Sequence, residues 1–370
     1  MNQHTSPPNR FVPELEALRG VAALMVALHH SLAVTTTTPT LERGIIQVLS
    51  VGRPAVTMFF VLSGFVLGAS LRRQQGHLSE FAFPFCVRRL FRIYPAFLVT
   101  TLLIAPLFFN EATREWFTLA PHDPHPLRTL ARNLLFIEAS INMVTWTLKI
   151  ELVASVLLPF FHGFTTFFQV SGKKLLLGGL LVLSIFPLGF GRWPCFLLMF
   201  YAGYLLPLGQ RWISLYWSKR NLGKSALLAL AFLTWMGAHI LTSSDTLVEA
   251  RSLGNRLSLL METGACLMII ASLAYSGNTH LHCLLNHPLP RFLGTVSFSF
   301  YLIHHPVLLT LDHLALNPLI GYELAGSTLM RGLVAWAVSS TLASIIAWFL
   351  FRHVEKLGVD LGKRLTTSTH

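Results

Sequence analysis

Two ionisable side chains, Arg19 and His30, stand eleven residues apart in a largely apolar run. In an α-helix, eleven steps of about 100° return to within roughly 20° of the same face, and the rise separates the two residues by about 16 Å. His29 lies about 100° from His30 and points elsewhere. A buried histidine can act as a general base near neutral pH. The spacing favours His30 as that base; the alternative is a histidine that only packs between helices.

Arg89 and Arg92 are three residues apart, which places them on one helical face. Guanidinium groups bind phosphate through paired hydrogen bonds, so this pair suits a phosphate-rich ligand. Retention of positive residues on the cytoplasmic side of a membrane explains a basic segment equally well, and anionic lipid headgroups are a third explanation.

Further ionisable side chains interrupt the apolar runs, where they are costly and usually face a bundle interior. For each, the alternative is a structural pair with another buried charge, or a side chain that extends from near a helix end to the membrane surface. Besides Arg19 and His30, they are His29, Arg53, Lys149, Glu151, His239, Glu262, His304, His305 and Asp312. The adjacent histidine pairs lack the i, i+4 spacing of metal ligands on one helix, so no metal is expected.

The composition is that of a membrane protein. Hydrophobic residues make up 53% of the 370 residues and charged residues 12%, against about 25% in soluble domains. Apolar runs of about 20 residues predict an all-α bundle of about ten transmembrane helices. They fall near Leu15–Val34, Ile45–Leu71, Ile93–Phe109, Val144–Phe168, Leu175–Phe190, Trp193–Leu208, Ser225–Thr242, Leu257–Ser276, Phe292–Leu316 and Leu329–Phe351.

The distribution of positive charge predicts the orientation. The net charge is +12, and with the N-terminus inside, most of the 28 Lys and Arg residues fall in inner segments. We therefore expect a multi-pass protein of the cell membrane, the inner membrane in a bacterium, with both termini cytoplasmic. A single domain is expected over residues 1–370, with tails at 1–13 and 352–370.

Six motifs, in order along the chain, resemble those of acyltransferase family 3, integral membrane proteins that O-acylate cell-surface polysaccharides and related glycosides. The resemblance covers nearly the whole chain, and the family's spacing of Arg, ten residues and His selects His30. The motifs are Arg19 with His30, Phe59–Phe65, Arg89–Pro95, Trp146–Glu151, Ser297–His304 and Val354–Lys356.

The resemblance implies a membrane O-acyltransferase that moves an acyl group, acetyl first, from cytoplasmic acyl-CoA to a hydroxyl of a carbohydrate or glycoside at the outer face. No permanently bound cofactor is expected. The implied catalytic residues are His30, Arg19 and Glu151: His30 is the general base, or the nucleophile if an acyl-enzyme forms, and Glu151 orients or charge-balances a basic group. Arg89 and Arg92 bind the CoA phosphates, with Arg19 beside the donor path. The implied substrate-binding residues are Ser63, Gly64, Trp146, Tyr301 and His304, of which Ser63 or Tyr301 donates to the oxyanion.

The chain departs from the family pattern in two places. Ala154–Ser155 stands where the family has an aromatic pair, and Leu357 replaces the closing proline. The first change is expected to alter the acceptor cavity.

Other classes of function remain open from the residues alone. A proton-coupled transporter would also place His, Glu and Arg within helices, although no inverted repeat is found. A nucleic-acid binder would gather its basic residues on one face, whereas here they are dispersed over alternate loops. A structural membrane subunit would not need the Arg19–His30 stripe.

Overall fold

The computed structural model describes residues 12–33, 40–74, 78–117, 125–168, 192–210, 213–214, 222–241, 253–275, 280–316 and 327–367. Within these ranges the protein is helical and contains no β-strand. The predicted span Leu175–Phe190 lies outside the described residues.

The described helices are numbered in chain order. They are α1 Pro13–Ala33, α2 Thr40–Leu49, α3 Gly52–Leu71, α4 Leu78–Phe109, α5 Glu111–Phe117, α6 Pro126–Leu134, α7 Trp146–Phe167, α8 Arg192–Leu205, α9 Leu222–Gly237, α10 Leu253–Tyr275, α11 His280–Leu285, α12 Pro288–Leu311, α13 Thr328–Leu350 and α14 Lys356–Thr367. Short 3₁₀ turns occupy Met143–Thr145, Leu206–Gly209 and Ala238–Leu241, and π turns occupy Asp312–Leu316 and Phe351–Glu355.

Six helical stretches among the described residues are long and apolar enough to cross a membrane. They are Glu42–Leu71, Glu80–Phe109, Met143–Phe167, Leu257–Tyr275, Pro288–Leu314 and Thr328–Thr367. Each overlaps one of the predicted apolar runs. The first predicted run corresponds to α1, which begins at Pro13 with acidic residues in its first turn and ends with His30 in its last turn, the charge order that the helix dipole favours.

The chain divides into two compact units. The first comprises Met1–Ala22, Arg53–Gln75 and Phe161–Thr295, and the second comprises Ala23–Gly52, Gly76–Phe160 and Val296–His370.

In the first unit, α3 and α8 approach each other at glycines. A Cβ atom added at Gly64 would collide with the backbone carbonyl of Phe200, and one added at Gly203 would lie 2.8 Å from the backbone nitrogen of Phe65. Small residues allow such close backbone contact between membrane helices.

In the second unit, α4 packs against the last helix, α14. Gly358 and Gly362 make this possible, because a Cβ at Gly358 would lie 2.5 Å from the carbonyl of Phe91 and one at Gly362 would lie 2.8 Å from the Phe91 Cβ. The core of this unit brings α4, α7, α12 and α13 together around a stacked ring pair, Phe97 and Phe136, with centroids 4.2 Å apart.

Candidate active site

His30 lies in the last turn of α1, in the second unit, surrounded by three other imidazoles. Its ring centroid is 4.8 Å from that of His305, 5.5 Å from that of His304 and 5.4 Å from that of His29. His29 points instead against Gly52, where an added Cβ would lie 2.5 Å from its Cδ2 atom. The structure thus brings His30 and His304 together and adds His305, which the sequence had marked as ionisable without giving it a role.

His304 is buried on α12, with 2% of its surface exposed. Its Nδ1 atom is 2.8 Å from the carbonyl oxygen of Tyr301, and its ring stacks on Phe300 with the planes 11° apart. Within the described part of the chain, its Nε2 atom is buried without a hydrogen-bond partner. A polar atom in this state is uncommon in a folded protein and calls for an explanation.

Tyr301 ties α12 to the start of α7. Its hydroxyl donates to the carbonyl of Val144 at 3.2 Å and accepts from the Thr147 hydroxyl at 3.1 Å, on either side of Trp146. The tyrosine proton is therefore directed at a backbone carbonyl. Donation to an oxyanion, which the family resemblance implies for Tyr301 or Ser63, requires this bond to open.

Helix α12 makes a second contact with another segment at the next residue, Leu302. Pro306 has no N–H group, so the carbonyl of Leu302 lacks its helical donor. The side-chain amide of Asn142 donates to that carbonyl at 2.8 Å. Tyr301 and Leu302 therefore fix the turn of α12 that carries His304 and His305.

A second polar group of this unit contains Arg89 and Glu151. One terminal nitrogen of Arg89 is 2.5 Å from a Glu151 carboxylate oxygen, and its Nε donates to the Ser155 hydroxyl at 3.4 Å. Glu151 thus balances the charge of Arg89, and its catalytic role stays a prediction. Ser155, one of the residues that departs from the family pattern, joins this contact. Arg92 lies one helical turn further along α4 and is partly buried.

The remaining candidates, Arg19, Ser63 and Gly64, belong to the first unit. A guanidinium nitrogen of Arg19 is 3.5 Å from the hydroxyl oxygen of Ser63. The structure gives Gly64 a packing role at the contact with α8. The donor role of Arg19 and the substrate roles of Ser63 and Gly64 stay predictions.

Several other charges within the apolar helices form structural pairs, the alternative that the sequence left open. In the first unit, Arg53 donates to Glu262 at 2.7 Å, and Thr57 and Ser258 complete this buried cluster. In the second unit, Arg331 donates to Asp312 at 3.1 Å. No group of three or more His, Cys, Asp and Glu side chains in the described ranges is arranged to hold a metal ion.

Two of the sequence motifs also meet in the second unit. Ser299, from the motif that ends at His304, donates to the buried Glu355 of the closing motif at 2.7 Å. The π turn Phe351–Glu355 carries this glutamate. Both motifs are visible in the sequence, but no feature of the sequence indicates that they are in contact.

Comparison with known proteins gives the family of this chain. The model of acyltransferase family 3, described as an acyltransferase domain, matches residues 12–353, and the chain belongs to this family. It is an O-acyltransferase enzyme and a membrane protein.

Two relatives support this assignment. The chain is 26% identical to acyltransferase MdmB from Streptomyces mycarofaciens, over 88% of this chain and 86% of the relative. It is 24% identical to O-acetyltransferase PaAT-1 from Phomopsis amygdali, over 94% of this chain and 83% of the relative. No solved structure matches the chain.

Proposed function

We propose that this enzyme moves an acyl group, acetyl in the first instance, from cytoplasmic acyl-CoA to a hydroxyl group of a carbohydrate or glycoside at the outer face of the cell membrane. The observation that carries the proposal is the position of His30, within 5.5 Å of the buried His304 ring by centroid distance. The Phomopsis relative is named an O-acetyltransferase, which supports acetyl as the transferred group.

The chemistry needs one base. His30 removes the proton from the acceptor hydroxyl as the oxygen attacks the thioester carbonyl carbon. The new C–O bond forms, the C–S bond breaks, and His30 returns the proton to the departing sulfur to give the free thiol of CoA. A backbone or side-chain N–H directed at the carbonyl oxygen would stabilise the charge that develops there.

Arg89 and Arg92 supply the positive charge for the donor. Arg89 contacts Glu151 and Ser155, which fix the direction of its guanidinium group. A guanidinium group held in this way suits a CoA phosphate, which it binds through paired N–H donors. Arg92, one turn away, gives a second cation on the same helix.

The proposed topology is a multi-pass bundle of about ten spans with both termini cytoplasmic. It places the loop that precedes Arg89 and Arg92 on the side where acyl-CoA is made. The six spans found in the described residues are compatible with this arrangement.

The test is acylation by the His30→Ala variant. Membranes that contain the wild-type protein or the variant, at equal amounts, are incubated with radiolabelled acetyl-CoA, and label in the membrane glycans is followed. We expect the rate to fall by about 10²- to 10⁴-fold, the usual contribution of a general base. His313→Ala, a change on the π turn after α12, is the matched control and should retain the wild-type rate.

Acylation by His30→Ala at the wild-type rate would remove His30 from the mechanism. Absence of label with the folded wild-type protein, over a range of acyl donors and glycans, would contradict the proposed reaction and favour a transporter.

A further inference from the structure

The protonation of His304 follows from its neighbours. Its Nδ1 atom lies 2.8 Å from the Tyr301 carbonyl oxygen, which can only accept a hydrogen bond. Nδ1 must therefore carry a hydrogen. In a neutral imidazole with hydrogen on Nδ1, Nε2 bears a lone pair and acts as an acceptor.

The orientation of this lone pair is fixed from several sides. The His304 ring stacks on Phe300, with centroids 5.7 Å apart. Tyr301, whose carbonyl binds Nδ1, is itself held by Thr147 and Val144. The side chain is thus a preorganised acceptor, buried among the described residues and unpaired at Nε2.

The ring of His30 is at the distance that such an acceptor requires. Two imidazoles joined by an N–H···N hydrogen bond have centroids separated by about 3 Å plus the two ring radii. The His30 and His304 centroids are 5.5 Å apart, and their planes are inclined by 35°. This separation would allow an N–H group of His30 to reach Nε2 of His304 once the His30 ring turns toward it.

We propose that His304 is the positioning residue for His30: its Nε2 accepts one N–H of His30, so that the other His30 nitrogen faces the acceptor hydroxyl as a base. The inference rests on the proposed function. Bases of hydrolytic triads are oriented by a third group in the same way. When His30 takes up the proton, its N–H becomes a charged donor, and the hydrogen bond to His304 strengthens.

His305 is the poorer partner for this role, although its centroid is closer, at 4.8 Å. Its ring is inclined by 68° to that of His30. What distinguishes His304 is that its Nδ1 is bound to the Tyr301 carbonyl and that its Nε2 is buried without a hydrogen-bond partner among the described residues.

Two isosteric substitutions separate positioning from packing. In His304→Asn the amide nitrogen can replace Nδ1 and keep the Tyr301 contact, but nothing replaces Nε2. In His304→Gln the longer side chain places an amide group near the Nε2 position. We expect kcat to fall about 100-fold in His304→Asn, the cost of a misplaced reacting group, with the KM for acetyl-CoA unchanged. His304→Gln should recover at least a tenth of the wild-type kcat, and thermal stability should be similar in both variants.

The matched control is His313→Asn. His313 belongs to the π turn that continues α12, and its Nδ1 lies 3.0 Å from a backbone carbonyl, that of Leu309. Its ring stacks on Trp116, with the ring planes 16° apart. We expect the kcat of the His313→Asn variant to equal that of the wild type.

A double substitution shows whether His304 acts through His30. If it does, His304→Asn should cause no further loss in the His30→Ala background. Equal losses in the Asn and Gln variants with lowered thermal stability, or a wild-type kcat in His304→Asn, would overturn the inference. If His304→Asn is normal while His30→Ala is inactive, only the positioning role fails; if His30→Ala is active, the proposed function fails as well.

Discussion

Arg89 combines an observed structural contact with a proposed ligand role. Its guanidinium group is 11% exposed and pairs with Glu151, which is 19% exposed. Partial burial makes a charge-assisted pair stronger than a surface one, because water screens it less. Ser155 adds a third polar group where the family pattern has an aromatic ring, so this chain has a more polar environment around Arg89 than the family pattern implies.

The donor role proposed for Arg89 and Arg92 predicts a change in KM. A hydrogen bond to a charged group contributes about 1.5–3 kcal/mol, so Arg89→Ala and Arg92→Ala should each raise the KM for acetyl-CoA by roughly 10- to 100-fold. The KM is measured from the rate at which free CoA thiol is released at increasing acetyl-CoA concentration.

Arg132→Ala is the control for these variants. Arg132 also pairs with a glutamate, Glu138, at 2.7 Å, but both side chains are at least a third exposed. The KM of the Arg132→Ala variant for acetyl-CoA should match that of the wild type. If the Arg89 and Arg92 variants behaved like this control, neither residue would bind the donor phosphates.

Sequence reasoning found the residues of the site more readily than their partners. His30 was selected by helical phase and by motif spacing, and both depend only on local geometry. The contact of Arg89 with Glu151 spans 62 residues and that of Arg53 with Glu262 spans 209. Such pairs are set by which helices pack together, and helical periodicity holds no information on that.

At the level of helices, the turn of α12 that carries His304 and His305 depends on groups from other segments. Val144 and Thr147 hold Tyr301, and Asn142 satisfies the carbonyl that Pro306 leaves without a donor. The sequence identified this helix and its motif, because the apolar run and the motif are continuous. The sequence gives no signal for Asn142, because this residue belongs to none of the motifs and lies 160 residues from its partner Leu302.

The glycine contact between α3 and α8 gives a prediction about stability. Gly64→Ala places a methyl group against the Phe200 backbone, which cannot move aside as a flexible side chain would. Overpacking of this kind costs about 1–3 kcal/mol. We expect a lower midpoint of thermal unfolding in detergent.

Gly264→Ala is the matched variant for this experiment. Gly264 also lies within an apolar helix, α10, but an added Cβ meets nothing within 4 Å. Alanine is a better helix former than glycine by up to about 1 kcal/mol. The midpoint of thermal unfolding of Gly264→Ala should therefore equal that of the wild type or exceed it. Equal midpoints for Gly64→Ala and the wild type would show that α3 and α8 do not make this contact.

For the whole molecule, the proposed orientation can be tested with a native cysteine. Cys283 is exposed on α11, which lies in a segment predicted to be cytoplasmic. In a protein that carries Cys86→Ser, Cys195→Ser and Cys266→Ser, a membrane-impermeant maleimide should label Cys283 only after the cells are permeabilised.

A second position checks the opposite side. Ala112 is exposed on α5, in a segment predicted to be outer. In a protein that carries Ala112→Cys and has all four native cysteines changed to Ser, the same reagent should react in intact cells. The reverse pattern of labelling would invert the topology.

The contact of α14 with α4 has a consequence for experiments that modify the C-terminal part of the chain. Phe91, on which Gly358 and Gly362 pack, stands between Arg89 and Arg92 in the chain. Helix α14 therefore packs against the turn of α4 that carries these two arginines. If they bind the acyl donor as proposed, a fusion protein, an antibody or a cellular regulator that pulls α14 away would change donor binding without entering the active site. An affinity tag attached after α14 would then affect catalysis as well as purification.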